Sequence, residues 1–316
     1  MTFERSERKC LEILRILKEH HDPIGAKRLS EMMSERGFVL SDRAVQYYLS
    51  YLDDLGFTKK EGNKGRVLTE MGLAETDSAL VEERIGYVIS KLERLAYRST
   101  FNPETDTGNV AYNLSIVPDE EEEKVRNAFD QVIKNELGFF SSYMVTNNDP
   151  RIPDGEVGFI TLCSVTMDGV LLHRGVPVKI AYGGTLELKN NKPASFRSLI
   201  GYKGTTEDPL SLFISAGLTS VGKICKTGTG MALANIRYVP RSAEGIVSET
   251  ASMMRNCGFL FPVAMGVEIF NFTPDQYHTS VVSYSGMNTI ANAIEQGCSI
   301  RTEIGAGNIQ FSKVIE

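Results

Sequence analysis

Donor-rich turns in the C-terminal two thirds of the sequence are its best candidates for chemistry. The segment Lys226-Thr227-Gly228-Thr229-Gly230 offers a positive charge, two hydroxyls and flexible backbone amides, the groups that form an anion-binding nest. A Tyr-Gly-Gly triplet and a Tyr-Ser-Gly triplet supply further turns. Because two negative charges cannot be buried without partners, a carboxylate or dicarboxylate would need such donors. The candidate ligand-binding residues are His173, Arg174, Lys179, Tyr182, Gly183, Gly184, Lys226, Thr227, Gly228, Thr229, Tyr284, Ser285 and Gly286. Solvated strand ends with ordinary turn glycines explain the same residues equally well.

Motifs for catalysis and for nucleotide binding are incomplete in the sequence. Residues 217–224 nearly match a phosphate-binding P-loop, but Ile224 stands where a Ser or Thr must hold magnesium. Gly228-Thr229-Gly230 lacks the third glycine of a dinucleotide fingerprint, because Leu233 occupies that place. The sequence has no G-x-S-x-G and no H-E-x-x-H. These observations predict a protein that is not an enzyme and has no metal site and no cofactor.

A second set of polar residues lies near the N-terminus, on the third of three short helical patterns. Ser41 is a good N-cap for this helix, and Gly56 is a good stop signal. The following segment, 57–68, has apolar ends and a glycine-rich tip, which predicts a basic β-hairpin. The candidate DNA-binding residues are Arg43, Gln46, Tyr47 and Ser50 on the helix and Lys59, Lys60, Lys64 and Arg66 on the hairpin.

Three helices and a basic hairpin predict a winged helix-turn-helix whose third helix enters the major groove of DNA. Residues 1–70 hold 13 Lys and Arg against 12 Asp and Glu, a net charge of +1, whereas the whole chain carries −6. Phosphate contacts are therefore expected from the N-terminal part alone. A near-neutral three-helix unit could also mediate protein contacts, and the clustered basic hairpin favours DNA binding over that alternative.

The rest of the sequence contains an internal repeat. Residues 108–118 and 230–240 share Gly, Asn, Val and Pro at one fixed offset, and a helical pattern follows each of them. Both halves, about 108–228 and 230–314, are predicted to run β-α-β-β-α-β, the split βαβ or ferredoxin-like order, in two layers. The first copy carries an insertion near 185–208. Two such halves predict a ligand cleft where they meet, although the duplication could also serve only as a scaffold.

These patterns predict an α+β protein with three parts. They are a winged-helix domain at 1–76, a helical linker at 77–100 and a ligand-binding domain at 101–316. An apolar stripe over 79–97 is compatible with a packed connector and with a dimerising helix. The five cysteines are scattered and no apolar run could span a membrane, so we expect a cytoplasmic protein with reduced thiols and no membrane partner.

The whole chain resembles the archaeal nitrogen regulatory repressor family, NrpR. The resemblance rests on SDRAVQYYLSYLDDLGF at 41–57, GVPVKIAYGG at 175–184 and KTGTGMALANIRYVP at 226–240. It implies a repressor of nitrogen-assimilation genes whose affinity for DNA falls when 2-oxoglutarate binds. Some members carry two effector domains, whereas this chain shows one of the NrpR type.

Two classes of function follow from these observations. The first is a transcriptional repressor that binds double-stranded operator DNA and is released by 2-oxoglutarate. The second is a metabolic enzyme acting on a small carboxylate and carrying an autoregulatory DNA-binding domain. A homodimer or higher oligomer is expected, because helix-turn-helix proteins commonly read two half-sites. The resemblance also allows a second NrpR-type protein or general transcription factors as partners.

Overall fold

A computed structural model of the protein describes residues 3–20, 22–203, 205 and 207–315. Within these ranges it describes the side chains except those of residues 3–8, 74, 75, 77–87, 90 and 315. The chain divides into two compact units between residues 84 and 85. The α+β class and the N-terminal winged helix are as predicted.

The first unit contains three helices and a two-stranded hairpin. Helix α3 begins after Ser41, whose Oγ accepts a hydrogen bond from the Ala44 N–H at 3.3 Å, as the N-cap prediction requires. Periodic apolar side chains of the three helices, such as Leu29 and Leu49, form one buried core. The elements are α1 (Phe3–Glu19), α2 (Ala26–Glu35), α3 (Asp42–Asp54), β1 (Thr58–Glu61) and β2 (Gly65–Leu68).

Helix α4 (Glu70–Arg98) spans the boundary between the units. In its C-terminal part Leu92, Leu95 and Ala96 are buried and belong to an apolar cluster with Ala111 and Cys163. This part of the predicted linker is thus packed into the second unit. The predicted stripe residue Ile85 lies outside the described side chains, so the dimerising alternative stays a prediction.

The second unit contains the repeat in the predicted element order. Equivalent elements are offset by 122 residues from Gly108 and Gly230 to the last strand of each repeat, except the short second strands, which are offset by 120. The first copy has β3 (Asn109–Pro118), α5 (Glu122–Lys134), β4 (Met144–Thr146), β5 (Glu156–Leu162), α6 (Val165–His173) and β6 (Lys179–Lys189). The second copy has β8 (Gly230–Pro240), α9 (Glu244–Asn256), β9 (Ala264–Gly266), β10 (His278–Tyr284), α10 (Met287–Glu295) and β11 (Arg301–Gln310). Short 3-10 turns at Asp119–Glu121 and Arg241–Ala243 precede α5 and α9.

Each repeat completes the sheet of the other. One sheet has the order β11-β3-β5-β4, and the other has the order β6-β8-β10-β9 with one further strand beside β6. The last strand of each copy therefore pairs with the first strand of the opposite copy. Helices are paired across the copies too, since α5 packs on α10 and α6 packs on α9. The repeats form one intertwined unit, and their junction runs through its interior.

The insertion in the first copy adds one strand and two helices. Strand β7 (Lys192–Gly201) is the further strand beside β6, and α7 (Pro209–Ser215) and α8 (Val221–Thr227) follow it. Helix α11 (Ser312–Ile315) closes the described chain. The predicted insertion near 185–208 thus corresponds to the β6–β7 hairpin and the segment leading to α7.

The predicted match between Tyr182-Gly183-Gly184 and Tyr284-Ser285-Gly286 is wrong. The first triplet lies inside β6, whereas the second joins β10 to α10. At the offset of 122, the equivalent of the second triplet is the junction 162–164, between β5 and α6. The helices at 209–217 and 287–297 are for the same reason not equivalents. The two triplets are similar in sequence but lie 102 residues apart, whereas β5 and β10 correspond at 122.

Candidate nucleic-acid interface and ligand cavity

Helix α3 presents a polar face to solvent. Its core side, with Val45, Leu49 and Leu52, is almost fully buried. The side chains on the opposite face are exposed, and Tyr47 is 71% exposed. The predicted residues Arg43, Gln46, Tyr47 and Ser50 are all exposed, and so are Asp42, Tyr51 and Asp54. Hydroxyl, amide and guanidinium groups on one exposed helix face are suited to base edges and phosphates.

The hairpin of β1 and β2 carries free lysines. Lys59, Lys60 and Lys64 are exposed, and none of them pairs with an acidic side chain of the described residues. Residue Thr58 pairs with Leu68 and Glu61 pairs with Gly65, so the hairpin tip falls at 62–64. The lysines can therefore reach phosphates beside the groove that α3 would occupy.

Arg66 differs from its prediction as a free phosphate contact. Its Nε donates to Asp53 Oδ2 at 2.8 Å, and Thr58 Oγ1 donates to the other oxygen of that carboxylate at 2.5 Å. Its backbone also pairs with Ile24 on the far side. Arg66 thus fixes the hairpin against the end of α3, and Asp53 offsets much of its charge.

Two basic residues that the sequence reasoning missed lie at the start of α2. Lys27 and Arg28 are exposed, and no described acidic side chain pairs with them. One turn further along α2, Ser30 Oγ donates to Leu40 O at 2.6 Å, next to the start of α3. The first helix of a helix-turn-helix crosses the DNA backbone. A Lys-Arg pair at the start of the second helical pattern was the available signal.

The predicted ligand-binding turns lie at different ends of the second unit. Residues 226–229 end α8 beside the β6–β7 turn, where Asn191 N–H donates to Gly228 O at 2.8 Å. Along β8, Thr229 and Asn235 are six residues apart, roughly 20 Å at the rise of a strand. His173 and Arg174 end α6, and Arg174 forms ion pairs with Glu104 and Glu249. The turn at 226–229 therefore lies too far from 284–286 to share one small ligand with it, whereas 182–184 and 284–286 flank the same residues of β8.

The two remaining predicted segments have other roles. Lys179 begins β6, and its Nζ lies 5.8 Å from the centre of the Tyr238 ring. Tyr182 packs edge-on against Tyr238 and Phe272. Gly184 leaves room for the neighbouring strand, because a Cβ there would lie 2.5 Å from Ser198 O. The predicted turn at 284–286 borders a cavity, to which Ser285 contributes.

That cavity has a volume of about 20 Å³ and lies between the repeats, where α6 and α10 begin. It combines apolar walls with a concentration of polar groups. The lining residues are Leu92, Asn113, Cys163, Ser164, Val165, Tyr202, Asp208, Leu210, Asn235, Arg237, Ser285, Met287 and Ile304. Cavities of this size hold about one water molecule.

A hydrogen-bonded group forms one wall of the cavity. Tyr202 OH donates to Asn235 Oδ1 at 3.1 Å, and Asn235 Nδ2 donates to Ser164 Oγ at 3.3 Å. Arg237 Nη2 donates to the same Ser164 oxygen at 3.2 Å. Asn235 and Arg237 stand two residues apart on β8, so both side chains leave the same face of the strand.

Arg237 and Asp168 form a buried ion pair behind that wall. Arg237 Nε lies 2.9 and 3.0 Å from the two oxygens of Asp168, and the side chains are 1% and 4% exposed. Burial raises the pKa of the Asp168 carboxyl, and the charge of Arg237 opposes that rise. The sequence signal was a lone Arg in an apolar strand and a lone Asp in an apolar helix.

The opposite wall holds the equivalent asparagine, Asn113. Its Oδ1 accepts a hydrogen bond from Gly305 N–H at 3.0 Å, and its Nδ2 donates to Thr161 Oγ1 at 3.3 Å. The shared Asn that marked the sequence repeat is thus a cavity residue in both copies. The second carboxyl near the cavity, Asp208, accepts from the backbone of Leu210 at 2.9 Å and caps α7.

Within the described part of the chain, no group of His, Cys, Asp and Glu side chains is arranged to hold a metal ion. No described helix is long and apolar enough to cross a membrane.

Both units match models of known protein families. Residues 85–316 match the model of the NrpR regulatory domains NRD1 and 2. Residues 11–76 match the winged-helix domain of ribonuclease R. A relative from Methanosarcina mazei, the global nitrogen regulator NrpRI, is 37% identical over 94% of both chains. The chain belongs to the NrpR family of nitrogen regulators. Members of this family carry regulatory names, and the enzyme alternative is set aside.

Other relatives are longer than this chain. The global nitrogen regulator NrpR of Methanococcus maripaludis is 33% identical over 74% of this chain, which spans 42% of that protein. The solved structure of a nitrogen repressor-like protein from Methanococcus jannaschii superposes with a TM-score of 0.61 at 23% identity. The superposition covers 71% of this chain and 96% of the solved chain, and it supports the fold.

Proposed function

We propose that this NrpR-family protein represses nitrogen-assimilation genes by binding operator DNA and leaves the DNA when it binds 2-oxoglutarate. The observation that carries the DNA-binding part is the exposed polar face of α3 beside the free lysines of the hairpin. Basic side chains on both elements can contact phosphates, while Arg43 and Gln46 have the geometry for bidentate contacts with guanine and adenine. The family assignment supports nitrogen-assimilation genes as the targets.

The proposed release from DNA follows from the thermodynamic linkage between effector binding and DNA binding. An effector shifts a binding equilibrium only by its differential affinity for the two states of the protein. The second unit offers an interior cavity between intertwined repeats, so a ligand that enters it must change how the copies pack. A dimer reading two half-sites would transmit such a change as a different spacing of its winged helices.

Salt-dependent DNA binding tests the interface. Replacing Lys59, Lys60 and Lys64 by Ala in the full chain should weaken binding to all sequences. It should also lower the slope of log affinity against log salt by about 0.9 per lost phosphate contact. Lys192→Ala, an exposed lysine of β7, is the matched control and should change neither quantity.

Replacing Arg43 or Gln46 by Ala tests the reading of bases. Each change should cost about 1–3 kcal/mol on the preferred DNA and little on unrelated DNA, since it removes a bidentate contact. Unchanged affinity and unchanged salt slope in both sets of variants would contradict the interface.

A further inference from the structure

One nitrogen of the buried Arg237 guanidinium has no partner. Nε is bound by Asp168 and Nη2 by Ser164, whereas Nη1 has no hydrogen-bond partner among the described residues although it is fully buried. Arg237 lines the cavity between the repeats. A buried N–H group without an acceptor is unfavourable, more so when it is charged. Arg237 therefore lines the cavity while one of its buried guanidinium N–H groups lacks a hydrogen-bond acceptor among the described residues.

Two helix N-termini meet at the same cavity. Val165 and Met287, the first residues of α6 and α10, both line it, and each helix is nine residues long. The positive ends of two helix dipoles and an unpaired guanidinium N–H all favour a negatively charged acceptor.

We propose that the Arg237 cavity binds one carboxylate of a small acid, one ligand per chain, and that Asp208 takes up a proton as the ligand binds. The inference rests on the proposed effector function and specifies its site. The cavity holds about a water molecule in this form, so the carboxylate replaces water and the rest of the acid separates the walls.

The expected stoichiometry of one ligand per chain follows from a difference between the two repeats. At the offset of 122, Ser115 takes the place of Arg237 and Ile290 takes the place of Asp168. Ser115 Oγ is already hydrogen-bonded to Thr302 Oγ1 at 2.8 Å. The position equivalent to Arg237 in the first repeat therefore has no cationic side chain. The two repeats together offer one carboxylate site rather than two.

The proposed proton uptake follows from the charges around the cavity. Arg237 already faces two carboxyl groups, Asp168 and Asp208, and a ligand carboxylate would add a third. Cys163 and Tyr202 also face it, and burial raises the pKa of Cys163 to about 11 and that of Tyr202 well above its usual value, so both are neutral. Burial raises the pKa of Asp208 as well.

Asp208 is the group expected to accept the proton. The Nε–H of Arg237 lies between the two oxygens of Asp168, at 2.9 and 3.0 Å, and stabilises the charged form of that carboxylate. Among the described residues, no cation is in hydrogen-bond contact with Asp208, which accepts from the backbone of Leu210 and Ser211 and lies 3.5 Å from Tyr202 OH. A protonated Asp208 keeps an oxygen for these bonds and removes one negative charge from the cavity.

Calorimetric titration of the full chain with 2-oxoglutarate tests the proposal. At pH 6.5 and 8.0, in two buffers with different heats of ionisation, we expect one ligand per chain. We also expect uptake of up to one proton and weaker binding at the higher pH. Asp208→Asn should remove the proton uptake and most of the pH dependence. Arg237→Gln should weaken binding by about ten- to a hundredfold, the effect of a hydrogen bond to a charged group.

The controls are Lys226→Ala, at the turn that the sequence had suggested, and Ser115→Ala, at the equivalent position in the other copy. Both should bind 2-oxoglutarate as the unaltered chain does. Two ligands per chain, no proton uptake, or normal binding by a folded Arg237→Gln protein would overturn the site while leaving the effector function intact. No binding by the unaltered chain would overturn both. If Arg237→Gln does not fold, the Asp208→Asn titration decides.

Discussion

Asp168→Asn should strongly destabilise the second unit. The side chain of Asp168 is 4% exposed, and Asn removes the charge that offsets the fully buried Arg237 while keeping the shape. Removing one partner of a buried ion pair costs about 3–5 kcal/mol, because the other charge stays desolvated. Since Asn retains an oxygen that can accept from Nε, we expect the lower end, about 3 kcal/mol.

A surface ion pair provides the matched control. Arg301 pairs with Glu156 between β11 and β5, and its side chain is 67% exposed. Glu156→Gln should therefore cost no more than about 1 kcal/mol. The double variant Asp168→Asn with Arg237→Met should regain part of the loss, because it leaves no unpaired charge.

Hydrogen exchange of the full chain, measured on peptides from α6 and β8, suits this comparison. The chain has two units, so a single unfolding transition of the whole protein would not isolate the second one. Equal, small losses for Asp168→Asn and Glu156→Gln would refute the reasoning that Asp168 offsets the charge of the buried Arg237.

Three further changes have definite expected outcomes. Ser41→Ala removes the cap that accepts from Ala44 and should cost the first unit about 1 kcal/mol in denaturant unfolding. Gly169→Ala places a Cβ 2.4 Å from Ala96 O and should lower the melting temperature, measured by circular dichroism, because backbone must move. Asp208→Asn keeps a cap and should raise stability at pH 7, measured by denaturant titration. Burial raises the pKa of Asp208 in the folded state. The contribution of this residue to folding stability is therefore fully present below its pKa in the unfolded state, and it is lost as the pH rises through its pKa in the folded state. The gain from Asn should therefore vanish near pH 3.

The winged helix was predictable because its signals are local. The Ser41 cap, the glycine at the end of α3 and the apolar spacing of Val45, Leu49 and Leu52 all act within a few residues. Arg66 shows the limit of such signals. Its partner Asp53 lies thirteen residues earlier, and no local pattern indicates that a wing arginine turns back to the helix.

The ligand site was less predictable because the repeats exchange their last strands. The sequence showed the repeat through Asn113 and Asn235, and both residues do line the cavity. Which turns converge depends on long-range pairing, such as β6 with β8, that periodicity does not encode. The junctions that start α6 and α10 are equivalent at the offset of 122, beyond short strands that correspond at 120.

The most direct test of the account is the affinity of the full chain for promoter DNA of a nitrogen-assimilation gene as 2-oxoglutarate is added. Fluorescence anisotropy at fixed salt measures it, with an unrelated DNA of equal length as reference. We predict tight, sequence-dependent binding that weakens progressively with the keto acid. Binding that is indifferent to 2-oxoglutarate, or equal for both DNAs, would contradict the account.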